Sequence, residues 1–374
     1  MKRSSLKVAI CGGGRGGTAL AADLTLMGCT VNLFQLPQFQ REFEPVLSRG
    51  GLELTGETQS GKTGFVKLNK VTTDPKEAVR GANLIMVAAP AFGHKAFFEA
   101  ITPHLEPGQN ILVNTCYWAA LRFAPMLKKR GIFDEVTLAE AMILPYACNI
   151  VEPGVTHIHR TKQEFIALAA FPATKTDGIL KMVQAFYPMH QKVPNVLWTN
   201  LANINVPIHA PFTVPIAGLV FDRCTDGRQG GVKFYGEATT PGARLTAAFD
   251  QERLAIGKAL GVELQTEEEI MRRLYGYKGK DLAEAMRKSE HAEMYTDVRF
   301  QHGLLEEDLR YCYVSLAQLG DQLGIPTPVT KGILTVMSVM AGIDYWAGAT
   351  TLKDLGLSGL NKDQIVRFVE QGRV

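Results

Sequence analysis

An α/β domain with a doubly wound, mainly parallel sheet, followed by a mostly α-helical domain, is the fold class this sequence predicts, on three observations. The apolar run Val8–Cys11 empties directly into Gly12, Gly14 and Gly17 at G-x-G-x-x-G spacing, and the helix-forming run Thr18–Met27 follows. Strand and helix patterns then alternate through the first half, as a parallel sheet with crossover helices requires. Beyond about Trp198 the apolar residues recur at helical periodicity only. With 374 residues, 46% of them hydrophobic, the chain has material for two cores, expected over 1–195 and 196–374.

Taken in order, Thr30–Leu36, Asn83–Ala89, Gln109–Thr115, Glu135–Glu140 and Glu164–Ala170 read as strands after the first. Phe97–His104, Ala119–Arg130 and Thr176–Tyr187 read as helices among them. Pro188 and Pro194 bracket the junction. The second half predicts helices at Thr246–Leu260, Thr266–Tyr275, Lys280–Ser289, Leu309–Leu323 and Lys331–Ala341.

The glycines sit at the turn from strand to helix, where each missing Cβ has a use. Gly12 permits the tight turn, Gly14 lets a pyrophosphate approach the backbone, and Gly17 lets helix and strand pack closely. The helix N-terminus adds free N–H donors for phosphate. This is the arrangement of a Rossmann-type dinucleotide site, with Gly13 and Gly16 completing the loop. Arg15, inside it, either reaches the pyrophosphate or adenine or faces solvent. The second strand ends at Gln35 without the carboxylate that binds the ribose 2′-hydroxyl of NAD, and Arg41, a few residues on, can meet a 2′-phosphate. Although Gly17 in the third glycine position is the habit of NAD sites, the missing carboxylate and Arg41 favour NADP slightly over NAD. Ala89 and Pro90 end the strand at which cofactor contacts collect. His94 just beyond is either a further cofactor contact or a cap on the next helix.

Forty basic residues against 37 acidic ones leave a net charge of only +3, with no concentrated Lys/Arg run, which disfavours nucleic acid and anionic membranes as partners. Cys11, Cys29, Cys116, Cys148, Cys224 and Cys312 show no C-x-x-C spacing, so neither a metal site nor a disulfide framework is expected and a reducing cytoplasm is. The apolar run after Lys2 and Arg3 stops at Gly12, too short for a signal-peptide core, and Gly332–Ile343, read as the longest apolar stretch, is too short to span a bilayer.

Several segments in fixed order resemble the opine dehydrogenase family, of octopine and nopaline dehydrogenase type, over nearly the whole chain. They are GGLELTG at Gly50–Gly56, MVAAPAFGH at Met86–His94, AEAMILPYACNI at Ala139–Ile150, NINVPIHAP at Asn203–Pro211, EEDLRYCYVSLAQLG at Glu306–Gly320, GIPTP at Gly324–Pro328 and DYWAGATTLKDLGL at Asp344–Leu357. The resemblance implies reductive condensation, in which an amine or amino acid attacks a carbonyl compound and the imine accepts a hydride from NAD(P)H. By position it makes His209 the proton donor or acceptor and Asp308 its orienting partner. Histidine titrates near neutrality and a carboxylate fixes its tautomer, so these residue types suit the task. Read without the resemblance, His209 between two prolines is as readily structural, and Glu306, Glu307 and Asp308 read as charge at a helix start. Asn205, one helical turn before His209, is a candidate substrate contact. Glu140 either attracts an ammonium group or serves a buried structural partner. A homodimer is expected from the family.

Two departures bear on the substrate. Family members commonly carry an arginine five residues before the aspartate, where it can clamp an oxo acid carboxylate; Gly303, after His302, stands there instead, with Arg299 as a nearby base. Cys116, Tyr117 and Trp118 bring bulk where the family has small residues near the substrate. Both changes point toward a less anionic substrate, so imine reduction or reductive amination of neutral ketones stands beside condensation of a 2-oxo acid. Two other readings remain: a 6-phosphogluconate-dehydrogenase-superfamily reductase such as a ketopantoate reductase, which works with a lysine, and a non-catalytic dinucleotide sensor.

Overall fold

The computed structural model describes residues 6–162, 164–224, 231–289, 291–296, 298–301 and 303–373; Lys2, Arg3, His302 and the side chain of Cys224 lie outside the described part. The chain forms two compact units. One runs to Thr199 and takes in Val369–Arg373; the other is Asn200–Phe368. A single cut in the sequence has no way to express the return of the last residues to the first unit.

The strands are β1 Lys7–Cys11, β2 Thr30–Phe34, β3 Gly51–Gly56, β4 Gly64–Lys67, β5 Lys70–Thr72, β6 Leu84–Val87, β7 Asn110–Val113, β8 Thr137–Ala141, β9 Tyr146–Glu152, β10 Val155–Thr161, β11 Ile166–Phe171 and β12 His190–Lys192. Eight of them form the main sheet in the order β12-β11-β8-β7-β6-β1-β2-β5. Every pair in it is parallel except β11 on β8. Strand β1 is central, with Ile10 opposite Leu33 of β2 and Met86 of β6. Its residues Val8–Cys11, like all of β6 and β11, are buried, as near-continuous apolar strands covered on both faces must be. The doubly wound, mainly parallel sheet is therefore as expected, and the strand positions agree apart from their ends.

The helices of this unit are α1 Arg15–Leu26, α2 Gln40–Arg49, α3 Pro75–Val79, α4 Ala91–Ile101, α5 Ala119–Arg130 and α6 Thr176–Gln184. Helix α5 matches its expected span; α4 starts earlier than expected because Pro90 supplies its N-cap position.

A second sheet, order β4-β3-β10-β9, was not foreseen. Its strands β3 and β10 pair in parallel although about a hundred residues separate them, a pairing that no local pattern announces. This sheet covers the second side of α1. Thr156 donates its hydroxyl to Thr18 at 2.8 Å, Tyr146 to the buried Asp23 carboxylate at 2.6 Å, and the Gln59 and Ser60 amides complete the carboxylate's partners at 2.8 and 3.0 Å. Hence Gly17 to Leu24 are all buried.

Helices α7 Val196–Leu201, α8 Val206–Thr213, α9 Ala217–Cys224, α10 Thr240–Ala259, α11 Glu267–Tyr275, α12 Leu282–Arg287, α13 Leu304–Asp308, α14 Val314–Leu323, α15 Pro328–Ala341 and α16 Lys362–Gln371 follow. In the second unit α10, begun by the Thr239 cap and Pro241 at its first turn, packs on α8, α12, α14 and α15. The Thr266–Glu269 capping box starts α11. Among the described residues the longest apolar helical stretch is Val196–Arg223, 28 residues long, rather than Gly332–Ile343; by length and composition it would suffice to cross a bilayer, yet it is mostly buried. Pro207, Pro211 and several asparagines concealed it in the sequence.

Candidate functional site

The glycine loop is held by its own backbone. Gly12 has φ +125°, and a Cβ there would stand 2.3 Å from the Ala88 carbonyl oxygen; one on Gly17 would stand 1.7 Å from that of Gly12. Packing within the protein therefore demands both glycines. Gly14 differs: a Cβ there would meet nothing within 4 Å, so the open space in front of the α1 N-terminus is room the protein itself does not use. No side chain caps α1, which leaves its first amides available to an anion. Backbone donors, an uncapped helix and vacant room suit a pyrophosphate. Gly13 and Gly16 abut Phe43 and Leu144, whose side-chain atoms lie 2.6 and 2.7 Å from their would-be Cβ positions. Arg15 is exposed at the first helical position.

Gln35 is half-buried after β2, and its amide nitrogen lies 3.2 Å from the Cβ position of Gly13, so it borders the loop. Its side-chain oxygen accepts from the Leu36 amide at 3.0 Å. Arg41 is exposed on α2. Beyond β6, Pro90 is exposed and the Ala89 carbonyl accepts from His94 Nε2 at 2.9 Å and from the Thr115 hydroxyl at 3.3 Å. His94 is fully buried in α4; burial, helped by the Arg122 guanidinium, lowers its pKa to about 3 against the opposing pull of the Ala89 carbonyl. A neutral imidazole thus ties the loop after β6 to the one after β7.

That second loop is unusual. Tyr117 and Trp118 both have positive φ, 44° and 59°, a conformation bulky residues rarely adopt, and with Cys116 they are fully buried. Cys116 donates its Sγ proton toward the Thr199 carbonyl at 3.3 Å. Glu140, at 0% exposure on β8, accepts from the Ala120 amide in the first turn of α5 at 2.9 Å and from the Thr199 hydroxyl at 2.5 Å. Its carboxylate serves the positive end of that helix.

In the second unit, the structure brings together two residues 99 positions apart. His209 Nδ1 lies 2.8 Å from Asp308 Oδ2, with His209 5% and Asp308 0% exposed. Helix α8, which carries the histidine, is buried throughout. Pro211 lacks the amide that would bond the Pro207 carbonyl, so the Thr246 hydroxyl of α10 donates to that carbonyl at 2.8 Å. Tyr313 donates its hydroxyl to the Val206 carbonyl at 3.1 Å, and Thr213 its own to the His209 carbonyl at 2.6 Å. Sequence reasoning passed over Thr246 and Tyr313; the signal available was Pro211, which obliges some outside donor to satisfy Pro207. The Phe234 ring stands edge-on to His209, 6.0 Å between centroids.

Asp308 ends α13, and residues Leu309–Tyr313 continue as a π-helical turn into α14. Such one-turn π segments concentrate at functional sites. With Nδ1–H donated to the carboxylate, Nε2 is the nitrogen left for chemistry, and among the described residues it has no hydrogen-bond partner. Asn205 is at the N-cap position of α8, and its carbonyl accepts from the His209 amide at 3.0 Å, which puts both on one helical face. Gly303 caps α13 at its N-terminus in extended conformation; a Cβ there would stand 2.8 Å from both Cβ and carbonyl oxygen of Arg299, so the position has no space for any side chain. Arg299 itself is exposed. Cys11, Cys29, Cys116, Cys148 and Cys312 are all buried, and no metal-binding cluster occurs among the described residues.

A parallel sheet headed by a glycine turn and followed by a helical unit places the chain in the class of two-domain, nicotinamide-dinucleotide-dependent oxidoreductases. Residues 192–341 match the family of the NAD/NADP octopine/nopaline dehydrogenase alpha-helical domain. The opine dehydrogenase of Arthrobacter sp. (strain 1C) is 28% identical, covering 97% of this chain and 98% of that one. Among solved structures, an octopine dehydrogenase with NADH and L-arginine has the same fold at TM-score 0.73 and 20% identity, covering 97% and 98% of the two chains. A yersinopine dehydrogenase bound to NADP+ does so at TM-score 0.70 and 17% identity, covering 99% of each. Over nearly its whole length the chain is thus similar to opine dehydrogenases, and its helical half matches their helical domain.

Proposed function

We propose that this enzyme catalyses the NAD(P)H-dependent reductive condensation of a carbonyl compound with an amine or amino acid, with His209 and Asp308 as its acid–base pair. The observation that carries the reading is the 2.8 Å contact between these two buried side chains, in the region matched by the family's helical domain. The amine nitrogen adds to the carbonyl carbon, the carbinolamine loses water, and the imine is reduced to a secondary amine. His209 Nε2 gives the proton that lets the hydroxyl leave as water; Asp308 holds the ring in the required tautomer and stabilises the imidazolium. The dinucleotide, when bound, supplies the hydride. Gly12 to Gly17, with the α1 amides, hold its pyrophosphate, while Ala89, Pro90 and His94 border it further along the sheet. Gln35 in place of a carboxylate, with Arg41 exposed nearby, supports acceptance of NADPH.

The carbonyl partner is where this chain departs from its relatives. Because Gly303 has no space for a side chain, an arginine clamp at that position is foreclosed, which favours neutral ketones. The test follows NADPH and NADH oxidation with pyruvate and with cyclohexanone, each against amino acids and simple amines. Oxidation that requires both a carbonyl and an amine supports imine reduction. Faster turnover of pyruvate with an amino acid would sink the neutral-ketone reading, and oxidation without any amine would sink condensation itself.

A further inference from the structure

One buried lysine in the first unit has no carboxylate within ion-pair distance among the described residues. Lys162, just after β10, is 9% exposed, and its Nζ donates to the Leu144 carbonyl at 2.8 Å. Among the described residues that carbonyl is its only side-chain partner, and no ion pair forms. An ammonium group withdrawn from water without a counter-charge is costly, so such a group marks a place where an anion is expected. Its surroundings adjoin the glycine loop. The Leu144 side chain packs on Gly16, within 2.7 Å of that glycine's Cβ position. Cys148, which with Arg160 and Glu164 acts electrostatically on Lys162, donates its Sγ proton to the Arg15 carbonyl at 3.4 Å. Lys162 therefore shares its neighbours with Arg15 and Gly16, the first two residues of α1, whose N-terminus no side chain caps.

We propose that Lys162 is a cofactor-binding residue, the counter-ion of the dinucleotide pyrophosphate held at the α1 N-terminus. The proposal rests on the reading of the glycine loop as the dinucleotide site and adds what that reading lacks, a positive side chain from the second sheet. Lys162 is also poised to titrate. Burial lowers its pKa to about 8; Arg160 pushes in the same direction, and Cys148 and Glu164 push against it. A phosphate alongside favours the ammonium form, so binding takes up a proton above pH 8.

The experiment titrates NADH and NADPH into the full-length protein and its Lys162→Met and Lys162→Arg variants, without substrates. Loss of one charge-assisted contact predicts a Kd about 10- to 100-fold weaker for Lys162→Met, with most affinity restored in Lys162→Arg. Calorimetry of the wild type at pH 8.5 in two buffers of different ionisation enthalpy predicts proton uptake, which needs no variant to fold. Unchanged dinucleotide Kd in Lys162→Met with a raised KM for pyruvate would overturn the assignment in favour of a substrate carboxylate. Unchanged values for both, or no proton uptake, would overturn it outright. Failure of the wild type to bind either dinucleotide would instead remove the functional reading beneath it.

Discussion

The glycine loop of the first unit and the His209–Asp308 pair of the second are made from opposite materials. The loop consists of absences: two glycines that the protein's own backbone requires and a third, Gly14, facing empty space. The pair consists of side chains 99 residues apart, buried and held at 2.8 Å by a helix whose missing backbone bond Thr246 replaces. A site of the first kind fails when something is added, one of the second kind when something is removed.

That contrast is sharpest in turnover. His209→Ala is expected to lower kcat by about two to four orders of magnitude while NAD(P)H affinity stays within twofold, the usual span for losing an acid–base group. Single-turnover kinetics beside a dinucleotide titration check it, and lost cofactor affinity would show the ring to be structural. Asp308→Asn leaves the ring in place but removes the charge that stabilises imidazolium, so a smaller loss, about 10²-fold, is expected in the same assay.

Adding atoms tests the loop. Gly17→Ala pushes a methyl into the Gly12 carbonyl and should cost about 1–3 kcal/mol or more of stability. Gly14→Ala should melt with the wild type yet bind dinucleotide about tenfold more weakly, one contact's worth. Equal dinucleotide affinity in Gly14→Ala would break the comparison, because the open space would then have no occupant.

The smallest expected effect is in stability against pH, where the units differ in sign. Burial lowers His94 to about 3 and His190 to about 4 in the first unit. Below pH 6.5 the unfolded chain binds protons these rings refuse, so their contribution, present above 6.5, is lost as the pH falls toward 4 and 3. In the second unit burial raises the Glu267 carboxyl well above its ordinary 4.5, with Arg253 opposing and Asp250 assisting. Its contribution is present below 4.5 and lost as the pH rises, because the unfolded carboxyl then releases a proton that the folded one keeps. Both Glu267 carboxyl oxygens are buried and have no hydrogen-bond partner among the described residues. Glu267→Gln should therefore melt a few degrees above the wild type at pH 8 and level with it at pH 4.5, by calorimetry.

The sequence disclosed what local pattern encodes. Strand β1, the glycines and helices α10, α11, α12, α14 and α15 follow from periodicity and caps. The second sheet does not, because β3 finds β10 across a hundred residues, and its strands mix buried with exposed positions. His209 was legible only through resemblance, since two flanking prolines describe a helix entry as well as a catalytic segment. Lys162 gave no signal at all: one lysine in a strand-end sequence says nothing of its burial, which the fold alone creates. Gly303 was noticed for the arginine it lacks, whereas its packing on Arg299 shows that the backbone has closed the place where one would stand.

The π turn at Leu309–Tyr313 has a further consequence. The Val314 amide reaches back five residues to the Leu309 carbonyl, so the turn holds one residue more than an α-helix would. The widened turn absorbs that residue, so a regular helix with one residue fewer would keep the faces on either side nearly where they are. Deleting one residue from the regular winding of Val314–Leu323 would instead rotate everything upstream by roughly 100°, and Asp308 would swing off its histidine with neither side chain altered.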